Sequence, residues 1–121
     1  MKFWKFSEKK HDIGEKGEVL AKRFLQKQGY KIITTNYGNK LGEIDIIALE
    51  KDTIVFIEVK TRSNNYFGLA KEAIDKHKKQ KIAKVALYYL RRHCKEDIKA
   101  RFDVIAIDND KIELIRNAYS L

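Results

Sequence analysis

The chain contains no proline and a single cysteine, Cys94, and nowhere carries a long apolar run. One cysteine excludes an internal disulfide, so a reducing compartment is expected and the thiol reads as structural. A helix that crosses a bilayer needs ~20 apolar residues, and no stretch here approaches that. The opening Met1-Lys2-Phe3-Trp4-Lys5-Phe6 lacks the apolar core of a signal peptide, so no membrane association and a cytoplasmic location are expected. There is no low-complexity run, repeat or linker. Gly38, Gly42 and Gly68 are scattered turn glycines, which excludes a glycine-rich phosphate loop. His11, His77 and His93 lack metal-ligand spacing, and Cys94 has no patterned histidine beside it. Zinc and Cys–His nucleophile chemistry are thereby set aside.

What the chain does have is charge. Its 121 residues, 44% hydrophobic and 36% charged, read as one soluble α/β domain with a modest core. The domain is expected over residues 12–121, after a basic, aromatic tail at 1–11. The net charge of +9 points toward a polyanionic partner. Trp4 and its neighbours in the tail could stack on a base, although such tails more often fray or fold back.

Asp12 followed by Glu15 predicts a capping box, with a helix running to about Gln28 and stopping at Gly29. Gly17, Leu20, Ala21, Phe24 and Leu25 form its apolar arc, and Glu18 falls at the edge of that arc. By periodicity alone Glu18 is an ordinary boundary residue. A strand is predicted from Tyr30 to Asn36 with a turn at 36–39. Strands at about 42–49 and 54–62 complete an antiparallel meander. The loop Ser63 to Gly68 is either a substrate-facing loop or a plain connector.

A long helix is predicted from Ala70 to His93, with Ile74, Ile82, Val85, Ala86, Tyr89 and Leu90 as its buried stripe. Its other faces carry Lys71, Lys76, Lys78, Lys79, Lys81, Lys84, Arg91 and Arg92 against only Glu72 and Asp75. Lys71, Lys78, Lys79 and Lys81, with Arg62 from the preceding strand, are the candidates for nucleic-acid phosphate contacts. Arg101–Ile107 and Lys111–Arg116 finish the chain as two strands. The order αβββαββ predicts one mixed sheet flanked by helices.

The chemistry concentrates in Glu43-Ile44-Asp45 and Phe56-Ile57-Glu58-Val59-Lys60. If Glu50 pairs with Thr53 across a tight turn, Asp45 is expected opposite Glu58 and Glu43 opposite Lys60. Like charges facing one another on a sheet are destabilising, and the apolar neighbours make unpaired carboxylates costly. A divalent cation such as Mg²⁺, or Mn²⁺ in its place, resolves the conflict. Asp45 and Glu58 would be its ligands, with the Val59 carbonyl as an extra one and waters filling the rest. Strand alternation carries Lys60 onto the Glu58 face. A metal, two acids and a lysine beside a basic helix suit phosphodiester hydrolysis. A plain cross-strand ion pair between Glu43 or Glu58 and Lys60 is the bland alternative.

Gly17-Glu18, Gly42-Glu43-Ile44-Asp45, Phe56 to Arg62 and Arg101-Phe102-Asp103-Val104 together resemble the motifs of the bacterial YraN family (UPF0102). That family is similar to archaeal Holliday-junction resolvases and to the PD-(D/E)xK restriction-endonuclease-like superfamily. The resemblance covers about residues 13–119. It implies a restriction-endonuclease-like three-layer fold and a Mg²⁺-dependent nuclease site. By motif match Asp45 and Glu58 are the metal ligands, Lys60 is the catalytic lysine, and Glu18 is the helix carboxylate that completes the site. Asp103 is expected to be structural, pairing with Arg101 or a helix cation. One position departs from the pattern: the superfamily's proline before the aspartate is Ile44 here.

The leading reading is a metal-dependent endonuclease acting on DNA, with branched or recombination DNA as the candidate substrate. A homodimer is the expected form, because two matched cuts follow from twofold geometry. The alternative is a non-catalytic nucleic-acid-binding module that assists a DNA-processing protein partner. A purely structural protein would leave both the acid pair and the basic helix as coincidence.

Overall fold

The computed structural model describes residues 10–62, 76–94, 97–108 and 111–119. Its elements run α1 (Lys10–Lys27), β1 (Lys31–Asn39), β2 (Gly42–Glu50), β3 (Thr53–Arg62), α2 (Lys76–His93), β4 (Lys99–Asp108) and β5 (Lys111–Tyr119). The predicted order αβββαββ is the observed one. The tail before Lys10, the loop at 63–68 and the predicted first turns of the long helix lie outside the described residues.

Helix α1 begins at Lys10, two residues before the expected cap at Asp12. A cap contributes only ~1 kcal/mol, and neither Lys10 nor His11 opposes the helical state, so the capping signal does not set the boundary. The other end follows the sequence. Gly29 takes φ +97°, the Tyr30 N–H reaches back to the Leu25 carbonyl at 3.0 Å, and the Gly29 N–H donates to the Gln26 carbonyl at 3.1 Å. These are the two bonds of a Schellman ending. They turn the chain so that Tyr30 packs into the same buried cluster as Leu25.

Strands β1 to β5 lie side by side in sequence order in one sheet. The first three form the expected antiparallel meander, with Glu50 paired to Thr53. Strand β1 runs three residues past its predicted end at Asn36, through the predicted turn, and reverses at Lys40-Leu41 instead. Its ladder slips between Ile32 and Thr34, and Asn36 takes φ +53°. Asparagine tolerates that left-handed conformation, so the strand coils at Asn36 where a stop was expected.

Strands β3 and β4 are parallel and β5 returns antiparallel to β4. Parallel neighbours require a crossover, and α2 lies in that connection. Both faces of β3 and β4 are therefore covered, which is why Ile54 to Glu58 and Phe102 to Asp108 are all buried. On one face, α1 closes over a cluster holding Ala21, Leu25, Ile46, Val55, Ile57 and Ile105. On the other, Ile82, Val85, Ala86 and Tyr89 of α2 pack onto Ile44, Ile47, Ile54, Phe56 and Phe102. The result is the three-layer, mixed-sheet architecture of a restriction-endonuclease-like α/β fold.

Two irregularities fix local geometry. Strict alternation would put Ile44 and Ile46 on one face, yet Ile44 packs with α2 and Ile46 with the α1 cluster. The chain changes face at the intervening Asp45. The second lies in β4, whose pairing with β5 slips between Phe102 and Val104. There the buried Asp103 carboxylate accepts hydrogen bonds from the Tyr30 hydroxyl (2.9 Å), Arg101 Nε (3.0 Å), Arg101 Nη2 (3.2 Å) and the Asn117 N–H (2.8 Å). Arg101 extends the network to Glu50 at 2.6 Å. The expected structural partner of Asp103 is the observed one.

Candidate active site

The β2–β3 ladder runs from Glu50/Thr53 up to Ile46/Ile57, one pair short of Asp45/Glu58. The expected facing of Asp45 with Glu58 and of Glu43 with Lys60 is therefore not part of the ladder. The face change at Asp45 opens the two strands there. The Asp45 carboxylate fills the opening, its Oδ2 accepting the Val59 N–H at 2.8 Å. A strand residue turns its N–H and its C=O toward the same neighbour, so the Val59 carbonyl faces this gap as well.

Glu58 sits one residue away on β3, only 7% exposed. Its Oε2 lies 2.9 Å from Lys78 Nζ, in the first described turn of α2. Its Oε1 is buried and has no hydrogen-bond partner among the described residues. Burial foremost, then the neighbouring Glu58 charge, pushes the Asp45 carboxyl up to about 6. Glu18 adds to the upward push, while the Val59 N–H and Lys78 oppose it. These two acids therefore form one electrostatic unit with an excess of negative charge. Burial pulls the Lys78 ammonium down most, but its bond to Glu58, its bond to Lys60 and the charges of Glu58 and Asp45 together outweigh that, and the net shift is upward.

Other expected residues fall around this centre. Lys60 lies two residues beyond Glu58 on β3, on the face toward α2 by alternation. Glu18 on α1 is engaged by Asn36, whose Nδ2 donates to Oε1 at 3.2 Å, so the coil in β1 supplies its partner. Lys79 Nζ stands 5.0 Å from the centroid of the Tyr119 ring, which is stacked on Phe102. Lys81 lines a cleft of about 350 Å³ together with Gly42, Glu43, His77, Lys78 and Ile82, between the β1–β2 hairpin tip and α2. Lys71 and the side chain of Arg62 lie outside the described residues.

The acid pair suits a hard divalent cation: two carboxylates, one with an orphaned buried oxygen, plus a carbonyl turned into the same gap. Mg²⁺ is usually held by one or two carboxylates with waters and substrate phosphates completing its shell. Among the described residues no three His, Cys, Asp or Glu side chains converge tightly enough to hold a metal. Glu18 thus stands outside the immediate pair. Sequence reasoning placed Lys78 among the phosphate contacts and did not foresee its bond to Glu58. It also missed Asn36 and the strand opening at Asp45. The one available signal for the opening was the left-handed tendency of Asn36 in a coiling strand. Nothing in the periodicity of α2 distinguishes Lys78 from Lys79 or Lys81.

A mixed sheet between two helical layers, with an acid pair and a lysine where β2 and β3 part, defines the class: a restriction-endonuclease-like α/β domain. The chain belongs to the uncharacterised protein family UPF0102, whose model matches residues 17–107. It is 43% identical to a UPF0102 protein of Desulfosudis oleivorans over 112 residues, which is 91% of each chain. It is 48% identical to one of Caldanaerobacter subterraneus subsp. tengcongensis over 98 residues, 81% of this chain and 80% of the relative. Against a UPF0102 protein of Fusobacterium nucleatum the figures are 44% over 106 residues, 88% and 89%. Among the described residues no helix is long and apolar enough to cross a membrane.

Proposed function

We propose that the chain is a metal-dependent endonuclease that hydrolyses phosphodiester bonds in DNA, with branched DNA as its substrate class. The observation that carries this is the buried Glu58, with its orphaned oxygen, beside the half-buried Asp45. A pair of that kind costs stability and has no use in a plain binding module. Asp45 and Glu58, with the Val59 carbonyl, would hold one Mg²⁺ or Mn²⁺. When bound, such a cation polarises the phosphate and acidifies a water that attacks it. Asp45 is oriented by the Val59 N–H, so its second oxygen is left for that role. Lys60, on the Glu58 face, stabilises the charge that builds on the phosphate oxygens. The basic face of α2 holds the flanking phosphates.

The test is cleavage of labelled four-way junction, flap, duplex and single-stranded DNA with Mg²⁺ or Mn²⁺, for wild type, Asp45→Asn and Lys60→Ala. The expected result is cutting that requires metal and falls by at least about a hundredfold in each variant, as for loss of one transition-state donor. DNA binding without cutting, equal in all three proteins, would overturn it in favour of an accessory module for a DNA-processing partner.

A further inference from the structure

Glu58 does not wait for a cation with both oxygens open. Oε2 is already paired with Lys78 at 2.9 Å, and only Oε1 is unsatisfied. The lysine that makes this pair is a helix residue whose side chain is still 42% exposed, so its ammonium reaches the buried acid from the solvent side. Its stem has four rotatable bonds, and it can leave Glu58 without any movement of α2. It also shares that helix with Lys79, Lys81 and Lys84, and borders the cleft lined by His77 and Lys81. From one position, then, Lys78 can serve either a carboxylate inside the protein or an anion outside it. A divalent cation held by Glu58 would share that carboxylate with the ammonium, and two cations on one acid repel.

We propose that Lys78 is a tethered counter-ion: it neutralises Glu58 while the nucleic-acid surface is empty and swings to a backbone phosphate when DNA binds. Metal loading and DNA binding are thereby coupled. The inference rests on the nuclease reading above and deepens it, because it names a residue that regulates that site. Released from Glu58, Lys78 adds a phosphate contact at the moment the acid pair becomes open to Mg²⁺. By linkage the coupling is reciprocal: metal strengthens DNA binding by the factor by which DNA strengthens metal binding. Between encounters, the lysine keeps the buried acids from standing uncompensated.

The experiment is Mn²⁺ binding followed by electron paramagnetic resonance of the free ion, with and without a phosphorothioate-substituted duplex that resists cutting. Wild type is compared with Lys78→Gln and Lys78→Arg, and circular dichroism verifies that each is folded. Without DNA, Lys78→Gln should bind Mn²⁺ roughly tenfold more tightly than wild type, within the range usual for coupled sites. DNA should tighten Mn²⁺ binding to wild type by a similar factor and to Lys78→Gln hardly at all. Lys78→Arg, which keeps the charge, should follow wild type. Equal or weaker Mn²⁺ binding by Lys78→Gln in the absence of DNA overturns the coupling and leaves the nuclease reading standing. Folded proteins that bind no Mn²⁺, with or without DNA, overturn the nuclease reading and the coupling with it.

Discussion

Replacing Asp103 tests the reasoning about the fold most severely, because conservative and drastic substitutions should fail alike. Its Oδ1 accepts Arg101 Nε and the Asn117 N–H, and its Oδ2 accepts the Tyr30 hydroxyl and Arg101 Nη2. Both oxygens therefore face donors. An asparagine has one acceptor and one NH₂, so Asp103→Asn sets its NH₂ against Arg101 Nε and the Asn117 N–H in one orientation, and in the other against Arg101 Nη2 while the Tyr30 hydroxyl must turn from donor to acceptor. Asp103→Ala leaves the same donors empty and the Asn117 N–H without its acceptor, at a residue held at φ +52°. Removing one partner of a buried ion pair costs about 3–5 kcal/mol. Glu50 remains bonded to Arg101 at 2.6 Å, which favours the lower part of that range. With an unfolding entropy of ~2.1 cal/mol/K per residue, 3 kcal/mol lowers the Tm of a domain this size by roughly 12 °C. Thermal and urea unfolding by circular dichroism, with both variants measured beside wild type, reads this directly. A loss below about 1 kcal/mol in either variant, or an Asp103→Asn protein close to wild type, would refute the donor arithmetic. Mn²⁺ affinity per folded molecule should be unchanged in both, since the Asp103 carboxylate bonds to Tyr30, Arg101 and Asn117 and not to Asp45, Glu58 or Lys78.

The Asp45 carboxyl, pushed up to about 6 from an ordinary 3.8, is a destabilising group when ionised. The fold prefers its protonated form, so the cost is absent below about pH 4, grows between there and pH 6, and is fully present at pH 7. At ~1.4 kcal/mol per unit, Asp45→Asn should raise stability at pH 7.5 by on the order of 3 kcal/mol. That gain should vanish at pH 4, and a lowered Tm at pH 7.5 would contradict it. Gly17→Ala should destabilise the protein, contrary to helix propensity, because the new Cβ would stand 2.6 Å from Thr61 Cγ2. Overpacking of this kind costs ~1–3 kcal/mol. Adding Thr61→Ser, which deletes that methyl and keeps the hydroxyl, should recover most of the loss in a double-mutant cycle.

Much of the fold was legible because its signals are local. The apolar arc of α1, the stripe of α2 and the β-branched runs of β2 and β3 each specify an element and the face it buries. Gly29 specifies where α1 stops. Boundaries that depend on weak signals were missed, as at Asp12 and at Asn36, where a tolerant side chain lets a strand coil where a turn was expected. The candidate site was legible as a constellation, since Asp45, Glu58 and Lys60 stand at fixed offsets on two strands joined by a tight turn. Their actual geometry was not. Perfect alternation from Glu50/Thr53 carries Asp45 opposite Glu58, and only tertiary packing, with Ile44 drawn to α2 and Ile46 to α1, breaks it. Lys78 was legible as a cation and illegible as the partner of Glu58, because its role depends on how α2 is laid across the sheet.

The opening at Asp45 has a consequence for how the site can be dissected. Where the ladder stops, the Val59 N–H would lack a strand acceptor, and the Asp45 side chain supplies one at 2.8 Å. The carboxylate that would hold a cation is therefore also the group that closes the backbone at the strand opening. Removing it as alanine leaves a part-buried N–H without its acceptor, which costs up to about 1–3 kcal/mol and loosens β2 from β3 beside Glu58. Loss of activity in Asp45→Ala would then confound chemistry with geometry. Asparagine keeps an oxygen for the Val59 N–H and removes only the charge. If Asp45→Asn gains stability at neutral pH while losing Mn²⁺ binding, one side chain performs both roles, and the strand opening is maintained for the sake of the cation site. If Asp45→Asn keeps full Mn²⁺ affinity, Asp45 is a backbone clasp alone, and Glu58 cannot be paired with it as a ligand.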